Sequence, residues 1–438
     1  MARMKLETLT QFKFSKRYSR VMARSASNSE TVFDVVQPIV IDVQTKRDKA
    51  LRLYTKQFDG ATISNFRVSR DEIQKAYKQI HTELLRSLYT ATDNIRIVHK
   101  AEIQTMTPSS IKPSTGVTIQ KRWFPIERIG IYVPGGKATY PSSVLMNTIP
   151  AIIAGCTEII MVTPPRPDGS IDPTVLVAAD IAGVSEIYKV GGAQAIAALA
   201  YGTETVPKVY KIVGPGNAYV TSAKQLVANS GLVSIDSPAG PSEVLIIADK
   251  SANPKFVTAD LVCDAEHGDD STTIFITTSA KLGQTVIQEI KNLIPQFTTK
   301  SHIQKSIDRY GAFLLVNSLK QAIEFANGYA AEHVEIMTKN AQTVAKQIQN
   351  AGSVFIGDYT CKSAGDYATG ANHVLPTSMS AKMYSGLSTY DFLKQVSYQT
   401  CTKRGLTAIR KSIEYLAEAE GLPAHKYSCS VRFRNENI

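Results

Sequence analysis

A chain of 438 residues exceeds what one ordinary hydrophobic core holds together, so two or more domains are expected. Hydrophobic residues make up 43% and charged residues 20%, and the longest apolar region, Val144 to Val162, is broken by Asn147, Thr148, Pro150, Thr157 and Glu158, which excludes a spanning helix of about 20 apolar residues. Of the net charge of +11, +5 lies in residues 1–30 (Arg3, Lys5, Lys13, Lys16, Arg17, Arg20 and Arg24 against Glu7 and Glu30), and the thin spread of the rest, with no nucleic-acid-binding motif beside it, excludes a nucleic-acid stripe.

Residues 1–29 read as a basic N-terminal arm, with an organellar transit peptide as the alternative, and they contain no apolar run of signal-peptide length. Residues 30–100 are helical in pattern, most clearly over Val40–Leu53. From residue 128 short apolar strands alternate with helices. Strands are expected at 129–133, 158–163, 186–190, 209–213 and 233–236, with helices at 142–154, 172–182, 193–200 and 217–228. The turn-rich run Ser237–Ser242 links this module to a second, with strands at 243–248, 273–277, 314–317, 334–337 and 354–356 and helices at 254–266, 281–293, 319–327 and 341–350. Residues 386–438 look mainly helical, with an amphipathic stretch over Leu406–Leu416. The expectation is an α/β fold of two Rossmann-like, doubly wound modules with helical N-terminal and C-terminal extensions.

Four of the seven histidines sit in short segments that also carry carboxylates: Asp264-Ala-Glu266-His267, Glu332-His333, the run Ser363 to Pro376 with Asp366 and His373, and Glu420 to His425. The Ser363–Pro376 run reads as one loop hinged by Gly and Ala, the kind of place where function concentrates. Asp264 and His267, three apart at a helix end, share a face and make half a zinc site, or else His267 caps the helix. Glu266 faces elsewhere and is a candidate to orient His267. Glu332-His333 opens a strand, where it suits acid–base work or forms a surface pair. Gly-rich turns at Pro134-Gly-Gly136, Gly191-Gly192-Ala-Gln194 and Gly214-Pro-Gly216-Asn217 each close a strand and precede a helix. None completes the dinucleotide fingerprint, so they indicate a ligand at the carboxyl ends of the strands. Five dispersed cysteines without a Cys-x-x-Cys pair point to free thiols and a reducing cytoplasm, and Cys361 beside the loop reads as a small filler rather than a nucleophile.

Together these runs resemble the histidinol dehydrogenase family. The matching stretches are Tyr132–Met146, Val190–Glu204, Val213–Asn217, Asp236–Glu243, Ala265–Gly268, Glu332-His333, Ser363–Thr377 and Ala424-His425. They occur in the family's order between about residues 126 and 426. The resemblance implies NAD-dependent, four-electron oxidation of L-histidinol to L-histidine through the aldehyde, the last step of histidine biosynthesis. It implies His333 as the base that takes the alcohol proton and Glu332 as the group that activates water. Asp264, His267, Asp366 and His425 correspond to the ligands of one Zn2+ per subunit, which anchors the substrate. Ser242, His373 and Glu420, together with His333 and the metal ligands, correspond to substrate contacts, and Tyr132, Gln194 and Asn217 to NAD contacts. His425 is expected from the partner subunit of a homodimer. The implied domains are residues 30–133 with 243–385, carrying the catalytic pair and most metal ligands; 134–242 on the NAD side; and 386–438 as a dimer-crossing tail.

One departure stands out. The family has Gln where this chain has Asp264, which is one methylene shorter and adds a negative charge. That keeps open a relative acting on another small polar alcohol, and a non-catalytic protein on the same frame. The retained set Glu332, His333, Asp366, His373, Glu420 and His425 speaks against the latter. A small-molecule substrate is expected, with neither a nucleic acid nor a membrane as partner.

Overall fold

The computed structural model describes residues 4–22, 29–106, 109–135, 139–238 and 240–433. Gly136 of the first expected turn, Ala239 of the linker and residues 1–3 and 23–28 of the arm lie outside them. The chain forms two units, the larger taking residues up to Ile103 and Ile126–Phe392, the smaller Gln104–Pro125 and residues from Leu393 onward.

In the larger unit two parallel sheets follow one plan. The first contains Arg128–Tyr132, Glu158–Thr163, Glu186–Lys189, Lys211–Val213 and Ser234–Ile235, ordered in space as third, second, first, fourth, fifth. Order therefore reverses between Arg128–Tyr132 and Lys211–Val213, which opens a crevice at their carboxyl ends. The second sheet repeats this order with Glu243–Ala248, Thr272–Thr277, Ala312–Leu315, His333–Met337 and Ser353–Ile356. Its middle strands are apolar along their length because both faces are covered. Val244, Ile246 and Phe275 pack on helices Pro254–Ala265, Ala280–Leu293 and Lys300–Tyr310. Leu245, Ile247 and Ile276 pack on the opposite side with Leu319–Tyr329.

Among the described residues of the arm, Leu6–Thr8 adds a sixth parallel strand beside Ala312–Leu315, and Phe12 and Val21 of the two helices that follow are buried against that sheet. The expected domain division needs correction: residues from 30 onward do not join the second sheet. The apolar stripe Val36, Ile39, Val40 and Val43 of helix Ser29–Lys46, with Ala61 and Phe66, buries against Ile196, Leu199 and Val220 of the first module. Arg128–Tyr132 is likewise the central strand of that module, so a boundary at 133 cuts a sheet. The tail is mainly helical, as expected, and carries one strand besides. In the smaller unit Leu393–Cys401 pairs antiparallel with Val117–Pro125, which pairs with Ser109–Ser114, and helices Lys403–Ala419 and Pro423–Ser430 follow.

Local chemistry sets the elements that hold the site. Asn217 caps helix Ala218–Ala228, its side-chain oxygen accepting from the N–H groups of Tyr219 and Val220 at 3.1 Å each. Asn253 caps helix Pro254–Ala265, whose Pro254 occupies the first turn. Gly214 has φ +116°, and a Cβ there would sit 2.1 Å from the Tyr132 carbonyl oxygen, so only glycine lets this turn lie against the end of the central strand. All five cysteines are free, and no helix among the described residues is long and apolar enough to cross a membrane.

Candidate functional site

Strands Glu243–Ala248 and His333–Met337 are neighbours, with His333 opposite Val244. This register sets Glu332 and His333 beside Ser242 and Glu243 at the amino ends of the strands. The main chain of Glu243 holds both members of the pair. Its N–H donates to Glu332 Oε2 at 3.0 Å, and its carbonyl accepts from His333 Nδ1 at 3.1 Å. A carbonyl only accepts, so the proton is assigned to Nδ1, and Nε2 keeps its lone pair. Nε2 lies 3.8 Å from Asp366 Oδ1. Both side chains are buried. Burial, followed by the Lys362 ammonium, holds the imidazole well below its ordinary pKa, so it is neutral near pH 7. Burial, followed by the Asp264 carboxylate, pushes Glu332 well above the usual carboxylate range. The alternative of a surface pair is therefore ruled out.

The stretch read as one loop begins as a helix, Lys362–Tyr367, which approaches closely because it carries Gly365. A Cβ at Gly365 would lie 2.6 Å from the ring of Phe355, and that ring packs on His333 with centroids 5.8 Å apart. Lys362 and Asp366, four apart, share a face, with Nζ donating to Asp366 Oδ2 at 2.9 Å. The same Nζ lies 3.5 Å from Asp264 Oδ1, an ion-pair contact that leaves both Asp264 oxygens without a hydrogen-bond donor. Lys362 and Asp264 are buried, with side-chain exposures of 1% and 0%. Burial works against the charge on Lys362, but Asp264, Asp366 and Glu332 outweigh it and hold its pKa above the ordinary lysine value. Burial likewise raises Asp366, yet Lys362 prevails and leaves that carboxyl below its usual value.

His267 is exposed at the end of helix Pro254–Ala265, with Nδ1 on the backbone carbonyl of Asp264 at 3.2 Å, the contact of a helix-end cap. Glu266 does not orient it; its carboxylate accepts from the Thr299 hydroxyl at 2.5 Å. His373 is half-buried: Nδ1 donates to the Asp366 carbonyl at 2.8 Å, and Nε2 accepts from the Ser143 hydroxyl at 3.1 Å. Ser242 is half-buried directly before Glu243. Glu420 and His425 belong to the smaller unit, where both are exposed.

The zinc expected at Asp264, His267, Asp366 and His425 does not fit these residues as they stand. Among the described residues no group of three or more His, Cys, Asp or Glu side chains is placed to hold a metal ion. The two aspartates that should share a cation already face one, the Lys362 ammonium.

A dinucleotide fits better. A cavity of about 1160 Å³ opens where the strand order of the first sheet reverses, and Tyr132, Gln194 and Asn217 all line it. The Tyr132 hydroxyl accepts from the N–H of Gly192 at 3.2 Å, which fixes the ring. Gln194 is buried, with neither its amide oxygen nor its nitrogen paired, so the cavity wall carries a donor and an acceptor with no protein partner. Asp59, also on the wall, is pushed up to about 6 by burial. Lys224 and Asp236 clamp the Gly214 turn beneath the cavity. Lys224 Nζ donates to the Gly214 carbonyl at 3.0 Å and to Asp236, and the other Asp236 oxygen accepts from the Gly214 N–H at 2.8 Å.

Two residues of the centre had no part in the reading of the sequence. Glu243 acts through its main chain, which leaves no signature. Lys362 does leave one, since it stands four residues before Asp366, the spacing of neighbours on a helix.

The histidinol dehydrogenase family profile matches residues 22–433. Histidinol dehydrogenase of Methanocaldococcus jannaschii is 46% identical over 406 residues, spanning 93% of this chain and 94% of that protein. The Bacteroides thetaiotaomicron histidinol dehydrogenase is 45% identical over 424 residues, spanning 97% and 98%. The crystal structure of histidinol dehydrogenase from Elizabethkingia anophelis superimposes with a TM-score of 0.91 at 42% identity, covering 98% of this chain and 96% of that one. The likeness takes in the mixed α/β architecture with its parallel sheets, and the chain belongs to the histidinol dehydrogenase family.

Proposed function

We propose that this chain oxidises L-histidinol to L-histidine through the aldehyde, with NAD as the acceptor in both steps. The observation that carries this reading is the grip of Glu243 on both Glu332 and His333, which leaves a neutral imidazole with a free Nε2 in a buried site. In the first step His333 Nε2 takes the hydroxyl proton of the alcohol as a hydride leaves the adjacent carbon. The aldehyde then adds water, and Glu332 takes the proton from that water. A second hydride leaves the hydrated carbon, and the acid is the product. NAD, when bound, supplies the hydride acceptor. Tyr132, Gln194 and Asn217 would hold it, with the unpaired amide of Gln194 free to bond a polar ligand group. Ser242, Asp264, His267, Asp366 and His373 surround the pair as substrate contacts, and His373 makes such a contact by exchanging its bond to Ser143. Glu420 is a further substrate contact, and His425 comes from the second subunit of a homodimer.

A raised carboxyl pKa suits this division of labour, because a buried carboxylate is a stronger base once ionised. Glu332→Gln keeps the shape of the site and removes the base. The rate of oxidation of added histidinal is expected to fall by about 100-fold or more, while single-turnover oxidation of histidinol changes less. The two half-reactions are separated by stopped-flow NADH absorbance. Equal loss in both, or loss in neither, rules out a separate role for Glu332 at water.

A further inference from the structure

The least expected feature of the centre is its cation. Lys362 is buried, and its ammonium lies 2.9 Å from Asp366 and 3.5 Å from Asp264, the two carboxylates that a divalent ion would share. The position is built into the fold. Lys362 is the first residue of helix Lys362–Tyr367, whose Gly365 lets it press against Phe355, so the side chain is directed inward with 1% exposure. The chain's own departure from its family lies at the other end of the same contact, where Asp264 adds a carboxylate facing the lysine. Two negative charges and one positive charge then make a local set that needs no further divalent ion to avoid an uncompensated buried charge. A zinc ion at bonding distance from both aspartate oxygens, about 2.0–2.2 Å, would crowd an ammonium that already occupies the gap between them.

We propose that Lys362 takes the place of the divalent metal between Asp264 and Asp366, so that this member of the family works without bound zinc. The inference deepens the functional reading above and rests on it only for activity. Its metal content stands apart. The structural role of the metal, linking helix Pro254–Ala265 to helix Lys362–Tyr367, passes to the Asp264–Lys362–Asp366 ion triad.

The test uses the full-length protein, produced with zinc in the medium and then dialysed. Zinc per chain is measured by mass spectrometry and zinc affinity by competition with a chromophoric chelator. Wild type is expected to hold substoichiometric zinc and to form NADH from histidinol equally well before and after chelator treatment. Lys362→Met removes the charge and keeps most of the buried stem, and is expected to tighten zinc binding by about 10–100-fold, the range over which groups beside a metal's ligands tune affinity. Lys362→Arg keeps the charge and is expected to stay zinc-poor, which separates charge from a mere change of side chain. Stoichiometric zinc in the wild type that chelation removes along with activity overturns the proposal, and so does unchanged affinity in folded Lys362→Met. A zinc-poor wild type that gains histidinol oxidation when zinc is added back also overturns the proposal, whereas one that stays zinc-poor and inactive with zinc added rejects the functional reading, so the two failures are told apart.

Discussion

Replacing His333 by Asn is expected to lower kcat for histidinol oxidation by about 100- to 10,000-fold, the usual contribution of a positioned acid–base group, with little change in KM. The choice of Asn matters. Its amide nitrogen replaces Nδ1 as donor to the Glu243 carbonyl, so the strand end and its partner Glu332 keep their places. Only the Nε2 lone pair, near Asp366, is lost. The wild-type base is neutral because burial and the adjacent ammonium disfavour the imidazolium, so it is ready at neutral pH without prior deprotonation. Steady-state rates at several pH values, with a circular dichroism spectrum to show that the fold is retained, check the expectation. Retention of more than about a tenth of kcat would mean that another group takes the proton.

The second large effect is on the cofactor side. Lys224 and Asp236 are an ion pair with side-chain exposures of 3% and 4%, and both also bond the main chain of Gly214. Removing one partner leaves the other charge buried and unpaired, which costs about 3–5 kcal/mol. Lys224→Met is therefore expected to lower the urea midpoint of the first module strongly and to raise the KM for NAD, because the Gly214–Asn217 turn loses its clamp. The double variant Lys224→Met with Asp236→Asn discharges the remaining carboxylate and should recover part of the lost stability. A single-variant change within about 0.5 kcal/mol, the range of an ordinary surface substitution, would show that the pair is not part of the scaffold.

Much of this architecture was legible because parallel sheets covered on both faces produce short apolar runs. Glu243–Ala248 and Glu158–Thr163 stand out for that reason, and the polar turns after them set the crossovers. The strands that escaped notice lack such a run. Leu6–Thr8 has three residues and is held by its pairing with Ala312–Leu315, a contact more than 300 residues away along the chain. Ser109–Ser114 and Leu393–Cys401 are largely exposed and polar, so neither alternation nor hydrophobicity marks them. The assignment of residues 30–133 to the second sheet failed because an amphipathic helix reveals its apolar stripe but not which surface receives it.

The site divides in the same way. Candidate residues whose proposed roles use side chains, among them Glu332, His333, Asp366 and Gln194, could be named from their segments. Glu243 could not, since any residue has an N–H and a carbonyl. Lys362 was hidden by its type, because a lysine beside a polar loop is ordinarily solvated, and only tertiary packing buries it between two aspartates.

The central claim is that one site carries an alcohol through the aldehyde to the acid with NAD as acceptor at each step. It is tested most directly by counting NADH formed per L-histidinol consumed, with the organic product identified by NMR. The account predicts a ratio near two and histidine as the product. A ratio of one with histidinal accumulating, or no NADH at all from folded protein, would contradict it.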